Sequence, residues 1–258
     1  MSAAALYERA NGHLVPTELT RGPWDPGAQH GGPPAALIMG ALQQLPAAEG
    51  LQFARVTYEL LRPVPIGPVE LSTEIVRPGR RVQLLEATVR DPSGTELVRA
   101  RALQVRRARG APDTGAGEPP PGPETGDDGR FRPPRRPMFA PDAIELRFVQ
   151  GRFGGGESTA WFHLHVPVVA GEEPTQLQRL AAAADFGNGI SSPLSWDEFV
   201  FINPDLTIYI EREPTGEWIG LQSTTRIAPE GIGLSESVLY DQCGRVGRAI
   251  QALVVAPR

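Results

Sequence analysis

Residues 69–105 read VELSTEIVRPGRRVQLLEATVRDPSGTELVRARALQV, and residues 219–255 read IGLQSTTRIAPEGIGLSESVLYDQCGRVGRAIQALVV. The first stretch superposes on the second by a shift of 150 positions without a gap. When the comparison is extended to residues 56–105, ten positions are identical, and apolar positions match between them. Identity at one fixed spacing over such a length indicates a duplicated structural unit. The chain is therefore predicted to contain two copies of one fold.

Each copy alternates apolar and polar residues with the period of a half-buried strand. VELSTEIV and LLEATVRD do so in the first copy, and IGLQSTTRI and LSESVLYD in the second. Asp91 and Asp241 are each followed three residues later by a glycine, a pattern typical of a tight turn whose last residue takes a positive φ. Each copy is therefore predicted to form long antiparallel strands joined by a hairpin.

One helix per copy precedes these strands. The segments are 33–45, after a Gly-Gly-Pro-Pro start, and 175–188, and both are rich in Ala and Leu with few charges. Such helices should be buried. A sheet that wraps one helix leaves an open edge, so two modules are expected to join edge to edge.

A change of composition separates the two copies. Residues 108–141 are rich in Pro, Gly and charged residues and offer little to bury, so ordering them would cost more entropy than contacts return. We predict an N-terminal module at 1–107, an exposed linker at 108–141 and a C-terminal module at 142–258.

The composition excludes several functions. The chain has no lysine, which removes Schiff-base catalysis and the lysine of a phosphate-binding P-loop. The net charge of −5 disfavours a nucleic-acid partner. No apolar run reaches the length of a membrane span, no signal-peptide stretch is found, and Cys243 is the only cysteine, so we expect a cytoplasmic protein.

Two classes of catalytic centre also lack their residues. The pattern Gly-x-Ser-x-Gly of a serine hydrolase is absent. His163 and His165 would share one strand face, but no third ligand has suitable spacing nearby, so no metal site is expected.

The segments WDPGAQHGGPPAALIMGAL near the front and DFGNG, FINPDLTIYI and GRAIQALVV near the back resemble the TesB-like acyl-CoA thioesterases. The likeness covers nearly the whole chain except the linker. It implies an α+β double hot-dog fold, in which each of two tandem modules wraps a long antiparallel sheet around a central helix. It also implies a hydrolase of lipid metabolism that needs no metal or redox cofactor and meets coenzyme A as part of its substrate. Exposed sheet faces would favour a homodimer.

In that family a carboxylate on the second helix, a small hydroxyl residue at the next strand and a glutamine in the last strand hold a water. Carried over by motif, these positions are Asp185 in AAADFG, Asn203 in FINPDL and Gln251 in RAIQAL. Asn203 departs from the pattern because asparagine has no hydroxyl, although it can donate and accept hydrogen bonds. Asp185 would serve as general base for the water. Gln251 would match Arg101 of the first copy at the shift of 150.

Each of these residues also has a structural interpretation. Asp185 could end its helix with the side chain in solvent, Gln251 could face outward from its strand, and Asn203 could be a turn residue before a proline. The three indicate a site only if they converge in space.

The turn before the first helix is the candidate for polarising the carbonyl. Amides at a helix start lack partners and face the positive end of the helix dipole, and Gly31 and Gly32 would allow a ligand to approach them. His30 would contact the acyl-CoA or cap the turn, and the glycines could equally serve packing alone.

Two other functions remain open at this point. A hot-dog enoyl-CoA hydratase carries Asp-x-Asn-Pro-x-His, but here Phe201 stands for the acid and Leu206 for the histidine. A non-catalytic acyl-CoA-binding protein would keep the apolar cavity without activating water. The sequence specifies neither the acyl chain length nor the arginines that meet the phosphates of coenzyme A.

Overall fold

The computed structural model describes residues 5–10, 12–108, 110, 112, 118–129 and 136–258. Within these residues, twelve strands form one antiparallel sheet and two strands form a separate hairpin. The strands before the predicted linker are β1 (Tyr7–Ala10), β2 (His13–Pro16), β3 (Leu51–Leu60), β4 (Glu70–Arg77), β5 (Val82–Arg90) and β6 (Glu96–Arg106). Those after Gly126 are β7 (Asp127–Asp128), β8 (Ile144–Gln150), β9 (Ser158–Leu164), β10 (Phe199–Ile202), β11 (Asp205–Ile210), β12 (Trp218–Ile227), β13 (Ile232–Asp241) and β14 (Gly244–Pro257). The helices are α1 (Gly32–Gln43), α2 (Phe139–Asp142), α3 (Gln176–Ala184) and α4 (Gly187–Ser191).

The sheet confirms the duplication and the expected joining of edges. Its strands follow the order β4-β5-β6-β3-β11-β14-β13-β12, in which the four strands of the first copy are followed by their counterparts from the second copy in reverse order. At the junction β3 pairs with β11, and Thr57 lies opposite Thr207, its counterpart at the shift of 150, with the two hydroxyls 3.2 Å apart. The two copies are thus related by an approximate two-fold axis through this pair.

The pairing register of β6 and β14 corrects the shift that relates these two strands. Thr57 faces Arg101 on β6, whereas Thr207 faces Ile250 on β14, so these strands correspond at a shift of 149. The first hairpin turn holds one more residue, Thr95, than the second. The sequence match of Gln251 with Arg101 is therefore wrong, and Gln251 corresponds to Ala102.

The hairpin turns themselves are confirmed. Gly94 and Gly244 close them with φ of 87° and 131°, values that residues with a Cβ atom rarely adopt.

The two main helices are buried and pack against each other under the sheet. Gly40 of α1 leaves the space that the Gln178 amide of α3 occupies. The α1 helix lies close to its predicted range, but the second predicted helix is wrong in extent because α3 ends at Ala184 and α4 follows as a separate turn. Glycines at 187 and 189 weaken the helix there, and Gly187 lets α4 approach the sheet, since a Cβ would lie 2.6 Å from Ser237 Oγ.

Parts of the predicted linker are ordered. Pro121 accepts a hydrogen bond of 2.7 Å from the Trp161 indole, β7 pairs with β8, and Phe139 is fully buried. An exposed linker over all of 108–141 is therefore wrong, because a buried indole N–H needs an acceptor and a large apolar ring has a core to enter. Residues 109, 111, 113–117 and 130–135 of this segment lie outside the described residues, and the domain boundaries remain a prediction.

Across the described ranges, the helices are all too short or too polar to cross a membrane.

Candidate active site

A cavity of about 430 Å³ lies where the two copies meet. The loop before α1 and the end of β3 form its first-copy side, while the α3–α4 junction, β10 and the end of β14 form the other. Its walls are mainly apolar. The polar groups His30, Asp185, Asn188 and Asn203 converge on one part of the lining, an arrangement typical of a small-molecule site.

The carboxylate of Asp185 is the centre of this polar group. Asp185 ends α3, as its structural interpretation held, but its side chain is only 5% exposed and does not point into solvent. Asn203 Nδ2 donates to Oδ1 at 2.8 Å, and Gln251 Nε2 donates to the same oxygen at 3.1 Å. These bonds offset the cost of burying the acid. The structure therefore brings the three predicted residues together.

A backbone amide fixes the orientation of the Gln251 side chain. The Asn188 N–H donates to Gln251 Oε1 at 3.1 Å, so the Gln251 Nε2 group is turned toward Asp185. Gln251 is 1% exposed, so the outward-facing interpretation is wrong. It lies behind Asp185 and does not line the cavity, so it contacts the carboxylate rather than a bound molecule.

Asn203 combines the site and the turn interpretations. Its Nδ2 group donates to Asp205 O at 3.0 Å, which holds the turn into β11, as well as to the Asp185 carboxylate. Unlike Gln251, it lines the cavity. Both donations use the amide nitrogen, which leaves its side-chain oxygen for another donor.

His30 contacts the second oxygen of the Asp185 carboxylate. Its Nδ1 lies 3.0 Å from Asp185 Oδ2 and also 3.0 Å from the Gly32 amide nitrogen. One ring nitrogen cannot donate to the carboxylate and accept from the amide at once. Which of the two contacts the Nδ1 atom makes depends on the tautomer of the ring. The ring packs against both Phe139 and Phe186, with centroids at 5.2 and 4.5 Å.

The two glycines of this turn have different surroundings. A Cβ on Gly31 would lie 2.6 Å from Asp185 Oδ2, so glycine is needed for the start of α1 to approach the carboxylate. A Cβ on Gly32 would lie 2.6 Å from Ala182 O, so this glycine serves the packing of α1 on α3. Only Gly31 lines the cavity. Among the described residues its N–H has no acceptor within the protein.

An aromatic wall that was not predicted from the sequence lies on the side of α4. The rings of Trp24 and Trp196 stack with centroids 4.6 Å apart, and Phe201 meets both edge-on at 4.8 Å. Both tryptophans line the cavity, one from each copy. Isolated loop tryptophans were the only signal, and nothing in the sequence pairs them. Asn188 was not predicted either, because it contacts Gln251 through its backbone N–H, a contact that the identity of its side chain does not reveal.

The remaining histidines lie elsewhere. His163 is on β9, near the carboxylates of Glu145 and Glu217, and burial outweighs those charges and lowers its pKa below the ordinary value. Over the described part of the chain, no three His, Cys, Asp or Glu side chains are grouped so that they could hold a metal ion.

Sequence families match both halves of the chain. The acyl-CoA thioesterase N-terminal domain matches residues 20–105, and the acyl-CoA thioesterase C-terminal domain matches residues 112–255. Comparison with curated protein sequences finds no match.

Solved structures share the fold at low sequence identity. A protein with hot-dog fold from Alicyclobacillus acidocaldarius superposes with a TM-score of 0.75 and 16% identity, over 95% of this chain and 92% of its own. A putative thioesterase II from Thermobifida fusca gives 0.72 and 16%, over 95% and 91%. A tesB protein from Mycobacterium avium subspecies paratuberculosis gives 0.69 and 14%, over 97% and 96%. These likenesses confirm the double hot-dog fold.

Proposed function

The chain belongs to the acyl-CoA thioesterase family, and from that premise we propose that its hydrolysis of acyl-CoA is carried out by a water molecule activated at Asp185. As a family member it is a thioester hydrolase. The alternatives of a hydratase and of a non-catalytic binding protein find no support in these matches. The observation that carries the proposal is the buried carboxylate of Asp185 in the cavity wall, whose Oδ1 accepts hydrogen bonds from Asn203 and Gln251 while Oδ2 lies 3.0 Å from His30 Nδ1.

In the proposed reaction Asp185 is the general base. Asn203 and Gln251 fix Oδ1, so that Oδ2 takes a proton from a water that attacks the thioester carbon. The C–O bond forms, and the negative charge moves to the former carbonyl oxygen. Collapse of this intermediate breaks the C–S bond, and the proton held at Asp185 passes to the sulfur. The products are the free acid and coenzyme A.

The N–H of Gly31 is the proposed donor to the oxyanion. Gly31 lines the cavity and is the N-cap residue of α1, where the helix dipole favours negative charge. His30 holds the Oδ2 side of the carboxylate in place through its Nδ1. Gly32 was also expected to bind substrate; it does not line the cavity, and that expectation stays a prediction.

The aromatic wall is proposed to contact the acyl group through Trp24 and Trp196, which line the cavity, while the buried ring of Phe201 supports them from behind. It forms an apolar surface next to Asn203, where the acyl side of a bound thioester can leave water.

Three further expectations remain proposals. The reaction as written uses only water and substrate, so no cofactor is required. A single, exposed cysteine, Cys243, fits a cytoplasmic compartment. Exposed apolar residues on the outer face of the sheet, among them Ile232, favour a homodimer.

The test is release of thiol from a panel of acyl-CoAs by the wild-type chain and the Asp185→Asn variant. Removal of the base should lower kcat by about 10²-fold to 10⁴-fold. Asp25→Asn is a matched control, since its carboxylate lines the same cavity but is exposed and bonds only to its own turn. It should stay within about threefold of wild type. Full activity of folded Asp185→Asn would remove Asp185 from the role of base.

A further inference from the structure

The cavity opens to solvent along a rim of apolar side chains beside one cation. Leu61, Ile202 and Val254 line the cavity and are 47%, 42% and 61% exposed. Arg62 follows Leu61 on the same rim and is also exposed. The part of a bound thioester that is too long for the cavity leaves it across such a rim. Exposed apolar side chains at a cavity mouth commonly mark a contact with a ligand.

The rim is close to the proposed centre of reaction. The Leu60 N–H donates to Pro204 O at 2.7 Å, which joins the end of β3 to the start of β11. Pro204 follows Asn203, whose side chain holds the Asp185 carboxylate. Arg62 is thus two residues beyond a backbone bond that adjoins the site.

In the part of the chain that the structure describes, the charge of Arg62 is not balanced by a carboxylate. Its Nη1 donates to the backbone oxygen of Glu96 at 2.9 Å. The Glu96 carboxylate is taken by Arg90 at 2.7 Å and by Arg99 at 2.6 Å. Glu70 and Glu59 lie opposite those two arginines on neighbouring strands. Over the described residues, no carboxylate forms an ion pair with Arg62.

The counterpart of Arg62 in the second copy has the opposite arrangement. Arg212 binds both oxygens of the buried Asp241 carboxylate, at 2.5 and 2.6 Å. In the first copy the equivalent carboxylate, Asp91, instead accepts bonds from Ser93 and from Thr95, the extra residue of that turn. The first copy therefore lacks the arginine–carboxylate pair that Arg212 forms in the second copy.

We propose that Arg62 binds a phosphate group of the coenzyme A part of the substrate where it leaves the cavity. A guanidinium that has no carboxylate partner is suited to a phosphate, which it can bind through two parallel hydrogen bonds. Leu61, Ile202 and Val254 supply apolar contact for the chain between sulfur and phosphate. The inference rests on the proposed function, because that places the thioester carbon at Asp185.

Kinetics on truncated substrates test this subsite. Arg62→Ala should lower kcat/KM for an acyl-CoA by about tenfold, mainly through KM, because it removes one charge-assisted contact. The same variant should leave kcat/KM for the matching acyl-pantetheine, which has no phosphate, unchanged. Arg62→Lys keeps the charge and should recover part of the loss. Acyl-4′-phosphopantetheine shows which phosphate is bound: sensitivity to Arg62→Ala places it next to the pantetheine, and insensitivity places it on the nucleotide.

Arg226→Ala is the matched control, since Arg226 is an exposed strand arginine paired with Glu236 on the second copy. It should behave as wild type on every substrate. An equal loss on acyl-CoA and acyl-pantetheine, or no loss on either, would overturn the subsite.

Binding of free coenzyme A, measured by calorimetry, separates this inference from the proposed function. If the wild type hydrolyses no thioester but binds coenzyme A about tenfold more tightly than Arg62→Ala, the subsite stands and the hydrolytic mechanism fails. Equal binding by the two proteins overturns the subsite.

Discussion

The two copies of the fold share one sheet and differ at the positions that face its interior. Leu85, Ala87 and Ala102 fill these positions in the first copy, and all three are buried. Their structural counterparts in the second copy, at shifts of 150, 150 and 149, are Ser235, Ser237 and Gln251, which are buried as well. At these three positions the same frame therefore buries apolar side chains in one copy and polar side chains in the other.

The helix ends differ in the same way. The first helix is capped at Gln44, which is exposed, and the second at Asp185, which is buried against Asn203 and Gln251. The first copy contributes to the site through the turn at His30 and Gly31, which precedes its helix. Duplication thus supplied the frame, while a few differences between the copies confine the buried carboxylate to the second one.

Gln251→Ala gives the second copy the residue that the first copy has at Ala102. We expect kcat to fall by about 10²-fold, since the carboxylate loses a donor that fixes its position. Steady-state kinetics with acyl-CoA measure the effect. Gln251→Glu, which keeps the size but replaces the donor by an acid, should not restore the rate.

The reciprocal variant is the control for this exchange. Ala102→Gln places an amide in the apolar interior of the first copy, where it should cost about 1 to 3 kcal/mol of stability without changing the chemistry. A fall in kcat as large as that of Gln251→Ala would show that the two interiors are not functionally distinct.

The turn carboxylates sharpen the comparison further. Asp241 is fully buried and bound by Arg212 and Thr215, whereas Asp91 bonds only within its exposed turn. Asp241→Asn should lower the free energy of unfolding by about 2 to 3 kcal/mol, measured by urea denaturation at neutral pH. Asp91→Asn should change it by less than about 1 kcal/mol. Similar losses in both variants would contradict the difference between the turns.

The buried carboxyl of Asp241 also makes the stability of the fold depend on pH. Burial alone would raise the pKa of Asp241, but hydrogen bonds from Arg212, Thr215 and Cys243 outweigh it and hold the pKa below the ordinary value. A carboxyl with a lowered pKa stabilises the fold above its unfolded pKa of about 3.9 and loses that contribution as pH falls through its folded pKa. Between about pH 5 and about pH 3, the free energy of unfolding of the wild type should therefore fall by more than that of Asp241→Asn. Parallel losses would contradict the assignment.

The repeat made much of the fold predictable, because alternation and turn glycines are local signals. That the two modules join edge to edge followed from the need to cover a sheet edge, but which strands meet, β3 and β11, was not predicted. The one-residue change of shift could not be seen, because Ala102, Leu103 and Val105 are identical to the residues 150 positions later although they pack on different faces. Short-range pattern cannot distinguish a true register from one displaced by a single residue in a turn.

The site was predictable in part. Asp185, Asn203 and Gln251 were named from motifs that resemble a family, and their convergence depended on long-range pairing of strands that the residues themselves do not encode. The contact of His30 with Asp185 joins residues from different copies, so no local signal could have found it. The ordered parts of the predicted linker were missed for the same reason, because their partner Trp161 is distant in the sequence.

The most direct test of the water-activation mechanism is a single turnover of acyl-CoA in water labelled with ¹⁸O, followed by mass spectrometry of the product acid and of the peptide that contains Asp185. If Asp185 acts as general base, the acid carries one ¹⁸O atom from the first turnover and the peptide carries none. An unlabelled acid in the first turnover, with ¹⁸O incorporated into Asp185, would show that the carboxylate attacks the thioester itself and would contradict activation of water at this residue.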